Sequence, residues 1–141
     1  MASPRPQVLL IVRGALVRND KKFLLVKRSK SDRFLPDKWE FPGGKMDLGM
    51  DVFNALKQEV LEETSLKIKI SLNLVWVKSR ILLYGPYAGL PYVCITAVVK
   101  KFDGKVKLSS EHDDLAWVNR GQIPDYDLTK ETREALSYLK F

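Results

Sequence analysis

Three glutamates, Glu59, Glu62 and Glu63, sit close together in a segment whose apolar residues repeat with helical spacing. At about 100° per residue, Glu59 and Glu63 are about 40° apart and Glu62 is about 60° from Glu59, so all three carboxylates project from one side of a helix. Like charges at these spacings repel, and carboxylates in the last turns oppose the negative end of the helix dipole. A solvated acidic face is the plain alternative. The arrangement also suits a hard divalent cation: Mg²⁺ takes oxygen ligands and binds through a few carboxylates together with substrate phosphates. Upstream, Gly43-Gly44 permits tight backbone and can aim a carbonyl or an amide at a ligand. Gly49 supplies another turn before the helix.

These groups need elements to position them. The acidic helix is expected over about Val52–Thr64, with Asp51 as N-cap and Val52, Phe53, Leu56 and Val60 as its apolar face. A second helix is expected over about Lys130–Leu139, capped by Thr129 or Asp127, with Ala135, Leu136 and Leu139 turned inward. Val8–Val17 and Lys22–Lys27 are apolar and β-branched around a turn at Asn19-Asp20-Lys21, which reads as a hairpin. Ser29–Lys38 reads as a charged loop. Trp39-Glu40-Phe41 reads as a short strand ended by Pro42-Gly43-Gly44. Leu66–Leu83 holds one or two strands, Gly85–Gly89 a turn, and Tyr92–Lys101 a strand. Lys105–Leu108 is a candidate strand, and Ala116–Asn119 a short one. Residues 1–7 read as a loose end. Strands outnumber helices and do not alternate with them, so the class is α+β, a mixed sheet with helices packed on it.

Composition bounds the rest. The 141 residues make one domain, large enough to fold without disulfides or a structural metal. Lys plus Arg is 24 against 17 acids, for a formal charge of +7. Residues 1–45 hold 11 of the bases and 4 of the acids, so the whole excess lies in the first third. That excess is compatible with nucleic acid, a membrane surface or phosphorylated small molecules. No apolar run approaches the roughly 18–20 residues of a membrane span, and Val8–Val12 is too short for a signal-peptide core. Cys94 is the only cysteine and His112 the only histidine. This excludes an internal disulfide and a cysteine-based zinc site, and a cytoplasmic location is expected. His112 reads as a surface residue.

The segment from Gly44 to Leu66 resembles the Nudix box of Nudix hydrolases. Gly44, Glu59, Val60, Glu62, Glu63 and Leu66 fall at the family's spacing, and the flank Trp39 to Lys45, WEFPGGK, is similar to that of the branch cleaving nucleoside triphosphates. Met50, Gln58 and Ser65 depart from the pattern, which has Glu, Arg and Gly there. The resemblance implies an α/β/α sandwich spanning the chain and hydrolysis of a nucleotide with Mg²⁺, or alternatively Mn²⁺. It implies Glu59, Glu62 and Glu63 as metal ligands, one of them a candidate base, with the Gly43 carbonyl as a further ligand. Glu111, six residues before Trp117, is implied as another acid of the site. Arg28, at the end of the second strand, and Lys45 are implied phosphate contacts, while Lys30, Arg33 and Lys38 read as a solvated loop. Asp127 or Thr129 is the expected reader of the base edge, and Trp39 and Tyr126 are candidates to stack on it.

The expected activity is hydrolysis of a nucleoside triphosphate, an ordinary pyrimidine or an oxidised purine, to the monophosphate and pyrophosphate. Met50 and Gln58 imply a weakened or retuned enzyme. An ADP-ribose or dinucleotide pyrophosphatase is one alternative. A catalytically weak module binding nucleotide or RNA is the other, although the basic first third lacks the clustered aromatics of RNA binding. The expected partner is a small nucleotide and no membrane, with a homodimer left open.

Overall fold

The computed structural model describes residues 7–32, 35–69, 75–83 and 85–141. Its strands are β1 (Leu9–Leu16), β2 (Phe23–Arg28), β3 (Trp39–Glu40), β4 (Gly43–Lys45), β5 (Lys67–Lys69), β6 (Val75–Ile81), β7 (Pro91–Val99), β8 (Lys101–Asp103) and β9 (His112–Val118). The helices are α1 (Val52–Thr64) and α2 (Lys130–Tyr138), with a short 3₁₀ helix over Arg120–Asp125. A mixed sheet runs β4-β1-β7-β6, with β1 parallel to β7 and the other pairs antiparallel. A second sheet runs β3-β2-β9, and β5 pairs with β8.

Alternation along β1 and β2 builds both cores. Val12, Leu16 and Leu24 pack with Ala55, Leu56 and Val60 of α1. Ala15, Val17, Phe23 and Leu25 pack with Ala135, Leu136 and Leu139 at α2. The sheets therefore lie between two helices, the α/β/α arrangement. Arg80 of β6 pairs with Glu131 and Glu134 of α2, and the Tyr92 hydroxyl donates to Glu131, which fastens that helix to the sheet edge.

Several elements differ from expectation. The first two strands are joined by a tight turn, with Arg18 N–H on Lys22 O at 2.8 Å, but bridge each other outside the named strands only at Val17 and Phe23. They then diverge, because β4 and β7 claim both edges of β1 while β3 and β9 claim those of β2. Gly43-Gly44 is strand β4 rather than a turn. Lys105–Leu108 is irregular, and the additional strand is Lys101–Asp103. The strand expected at Ala116–Asn119 begins earlier, at His112. On α1, Phe53 is exposed and Ala55 takes its place in the core. The expected strand region Leu66–Leu83 contains β5 and β6, with 70–74 outside the described residues; Arg33 and the first six residues also lie outside them. No helix among the described residues is long and apolar enough to cross a membrane.

Candidate active site

Helix α1 is held at both ends. Asp51 accepts from Asn54 N–H at 2.9 Å. Ser65 adopts the left-handed conformation, φ 64°, and its N–H reaches Leu61 O. Between these caps the helix lays Glu59 and Glu63 against β4. Glu63 is only 5% exposed, and its Oε2 accepts from Gly43 N–H at 2.8 Å. Glu59 lies over Gly44 so closely that a Cβ there would be 2.5 Å from its Oε2. Gly44 therefore makes room for the Glu59 carboxylate, while Gly43 lets β4 pack against the β1 backbone and presents its N–H to Glu63. Glu62 is exposed and turned outward, accepting from Gln58 Nε2 at 2.9 Å.

Burial pushes the Glu63 carboxyl up to about 8, against the opposing pull of Arg13 and the Gly43 N–H. Burial also raises Glu59, helped by the charges of Glu62, Glu111 and Asp47. Both effects follow from disfavouring a charged carboxylate in a low-dielectric, acid-rich place.

Beside the acids lies a buried ionic network. Glu40, 2% exposed, receives Arg13 NH1 at 3.1 Å and Arg28 NH1 at 3.0 Å on each oxygen. Arg28 NH2 reaches Asp32 at 2.8 Å. Arg13 NH1 also meets the carbonyls of Phe41 at 3.3 Å and Gly43 at 3.1 Å. Burial lowers the Arg13 value, but Glu40, Cys94, Glu63 and Glu131 outweigh it and hold the guanidinium above its ordinary value.

These groups share one cavity of about 670 Å³, within the usual range for a small-molecule site. Glu59, Glu63, Glu111, Arg28, Lys45, Gly43 and Gly44 all line it, as do Arg13, Glu40 and His112. Among the described residues, its charged lining holds three basic groups, Arg13, Arg28 and Lys45, and five carboxyl groups, Asp32, Glu40, Glu59, Glu63 and Glu111.

The base-reading candidates sit apart from this lining. Trp39 packs edge-on against Tyr126, centroids 5.0 Å apart. Asp127 pairs with Lys38 at 2.7 Å, so Lys38 is engaged rather than simply solvated. Thr129, rather than Asp127, caps α2, and it lines a much smaller neighbouring pocket. Met50 packs with the apolar cluster under α1.

Sequence reasoning missed Arg13 and Glu40. A charged residue on the Leu9–Ile11–Arg13 face of an apolar strand, and a glutamate between Trp39 and Phe41, were the available signals. His112 was misjudged as a surface residue. It is 8% exposed, because the strand starting there pairs it with Arg28. Burial lowers its value, and its Nδ1 has no hydrogen-bond partner among the described residues. Burial raises the Cys94 thiol, which argues against a nucleophilic thiolate.

A family model described as NUDIX domain matches residues 8–139. The chain belongs to this family and is a Nudix hydrolase. It is similar to proteins named nucleoside triphosphatase NudI. The one from Escherichia fergusonii is 27% identical over 132 residues, 86% of this chain and 90% of the relative. One from Escherichia coli is 28% identical over 131 residues, 86% and 89%. Among solved structures, a MutT protein from Methanosarcina mazei has the same fold, with TM-score 0.79 at 23% identity over 96% of this chain and 94% of that one. A MutT NUDIX hydrolase from Burkholderia pseudomallei gives 0.74 at 25%, over 95% and 99%.

The donor chemistry of this Nudix hydrolase fits a hard divalent ion. Glu59, Glu63 and Glu111 offer only oxygen, two of them are raised by burial, and Gly44 leaves the Glu59 carboxylate room against the backbone. Among the described residues, however, no three His, Cys, Asp or Glu side chains are gathered closely enough to hold a metal.

Proposed function

We propose that this Nudix hydrolase cleaves a nucleoside triphosphate, an ordinary pyrimidine or an oxidised purine, to the monophosphate and pyrophosphate with a divalent cation, Mg²⁺ or Mn²⁺. The observation that carries this reading is a single cavity lined by the acids of α1 and by Arg13, Arg28 and Lys45. The bacterial relatives are named nucleoside triphosphatases, which supports the substrate class.

In this reading Glu59, Glu63 and Glu111, drawn together by the ion, would hold the cation with the Gly43 carbonyl, and Glu62 would have to turn inward from Gln58 to join them. The ion, when bound, neutralises charge on phosphate oxygens. Water adds to the α-phosphorus, the bond to the α–β bridging oxygen breaks, and pyrophosphate leaves. A carboxylate of the cluster accepts the proton of that water. Arg28 and Lys45 contact the phosphates, and Glu40 holds Arg28 in place. Arg13 keeps the Gly43 carbonyl oriented.

The test is a product assay with Mg²⁺ on ordinary and oxidised nucleoside triphosphates, ADP-ribose and diadenosine phosphates. Glu59→Gln and Glu63→Gln run alongside. Turnover of one triphosphate, lost in both variants, is expected. Turnover confined to ADP-ribose or a dinucleotide would overturn the substrate class. No turnover with retained RNA or nucleotide binding would overturn the enzymatic reading of the site.

A further inference from the structure

The Gly85–Gly89 turn has no part in the chemistry above, yet it delivers Pro86 and Tyr87 to the cavity wall. The turn is well braced. Leu82 N–H meets Leu90 O at 2.9 Å, Gly89 N–H meets Leu82 O at 2.8 Å, and Leu90 N–H meets Tyr87 O at 3.1 Å. Gly85 and Gly89 have φ of 80° and 92°. A Cβ on Gly89 would meet none of the described residues within 4 Å, so glycine serves the backbone conformation there rather than a close contact. The outcome is an aromatic ring held at the cavity wall and still 42% exposed.

The cavity changes character along β1. Its lining reads Arg13, Ile11, Leu9, each step two residues and about 6.6 Å. Arg13 is opposite Gly43, at the acids, and Ile11 is opposite Lys45. Leu9 and Ile11 pack with Leu82 in a small apolar cluster. Pro86 and Tyr87 complete an end that offers apolar surface and one aromatic face. Lys45 stands between the two ends. Its Nζ donates to the Tyr87 hydroxyl at 2.9 Å and lies 4.6 Å from the ring centroid.

Building on the nucleotide reading, we infer that this apolar end receives the planar ring of the substrate, that Tyr87 stacks on it, and that Lys45 exchanges Tyr87 for a substrate phosphate on binding. Stacking on an aromatic residue is available to every base, because each has a π-face. Tyr87 therefore supplies affinity for a ring and little choice among rings. A charge-assisted bond from an ammonium to phosphate is stronger than one to a neutral phenol, so phosphate draws Lys45 away and uncovers the ring.

The test is equilibrium binding to the full chain with Mg²⁺, using a nucleoside triphosphate analogue with a non-hydrolysable α–β link and, separately, inorganic tripolyphosphate. Tyr87→Ala should weaken the analogue about tenfold, the scale of one base–aromatic stack, and leave tripolyphosphate unchanged. Tyr87→Phe and Tyr87→Trp should keep the affinity, and Lys45→Gln should weaken both ligands. Equal loss for both ligands in Tyr87→Ala would reduce the tyrosine to a support for Lys45 and overturn the inference. Loss in Tyr87→Phe as large as in Tyr87→Ala would overturn stacking. A wild-type protein that binds the analogue no better than tripolyphosphate would overturn the ring site as well. The hydrolysis panel, scored separately, shows whether the nucleotide reading falls with it.

Discussion

Replacing Glu63 by Gln should stabilise the metal-free protein, and increasingly so as the pH rises. Glu63 holds its proton to about pH 8 in the folded state because burial disfavours its charge. In the unfolded chain it ionises near its ordinary value of 4.5. The folded form therefore keeps a proton that the unfolded form gives up. The stability linked to that proton is complete below about pH 4.5, declines between the two values, and is gone above about 8. At about 1.36 kcal/mol per pH unit, flattening as the pH reaches the folded value, moving from pH 5 to pH 8 removes about 3.5 kcal/mol from the wild type. Glu63→Gln loses none of this, and its amide oxygen can still accept the Gly43 N–H.

For a domain of this size 1 kcal/mol moves Tm by about 3 °C. The variant should gain about 10 °C on the wild type between pH 5 and pH 8 in chelator, measured by calorimetry. Adding Mg²⁺ at pH 8 should shrink that gap, since a cation beside the carboxylate favours the ionised form. Parallel Tm profiles for the two proteins would refute the burial argument, and a gap that widens toward low pH would reverse its sign.

Gly44→Ala should fold but lose about 100-fold in turnover, because a Cβ there displaces the Glu59 carboxylate rather than backbone. Gly43→Ala should fail to fold, with φ of 151° and a Cβ 2.0 Å from Val12 O; circular dichroism separates the two. Ser65→Gly should raise stability by about 0.5–1 kcal/mol in urea titration, since Ser65 occupies the left-handed helix stop. Glu40→Ala should cost about 3–5 kcal/mol in the same titration by leaving Arg13 and Arg28 without their shared carboxylate. Removing divalent ions should weaken nucleotide binding itself by at least about tenfold, the factor that 1.4 kcal/mol represents, read by calorimetric titration.

Local signals carried well. Asp51, the apolar spacing of Leu56 and Val60, and Thr129 before Lys130 mark both helices with contacts a few residues apart. The box glutamates were legible as a cluster because one helix turn places them. Sheet partners were not, since Val17 and Phe23 look like the base of a hairpin until β4 and β7 arrive from 30 to 80 residues away. His112 and Arg13 acquire their surroundings only when β9 pairs with β2 and β1 with β4. Glu62 shows the opposite limit: its wheel position put it with its neighbours, but only Glu59 and Glu63 meet β4.

The sign of the cavity follows from how the basic first third is folded. Of its cations, Arg18 pairs with Asp20, Lys27 with Asp37 and Lys38 with Asp127. Arg13 and Arg28 meet on Glu40. The first three pairs are largely exposed and add little stability, but every one of these contacts binds a positive charge to a local partner. Among the described residues, two of the three cations lining the cavity are held this way, and carboxyl groups outnumber them there. With Glu63 holding its proton to about pH 8, the described lining is close to charge-balanced near neutral pH, so it offers a polyphosphate no strong attraction despite the basic chain around it. The net charge of the sequence therefore says little about the site. In the proposed reaction a bound divalent ion would supply the positive charge the lining lacks, and Lys45, whose partner is a neutral phenol, helps to draw the phosphates in.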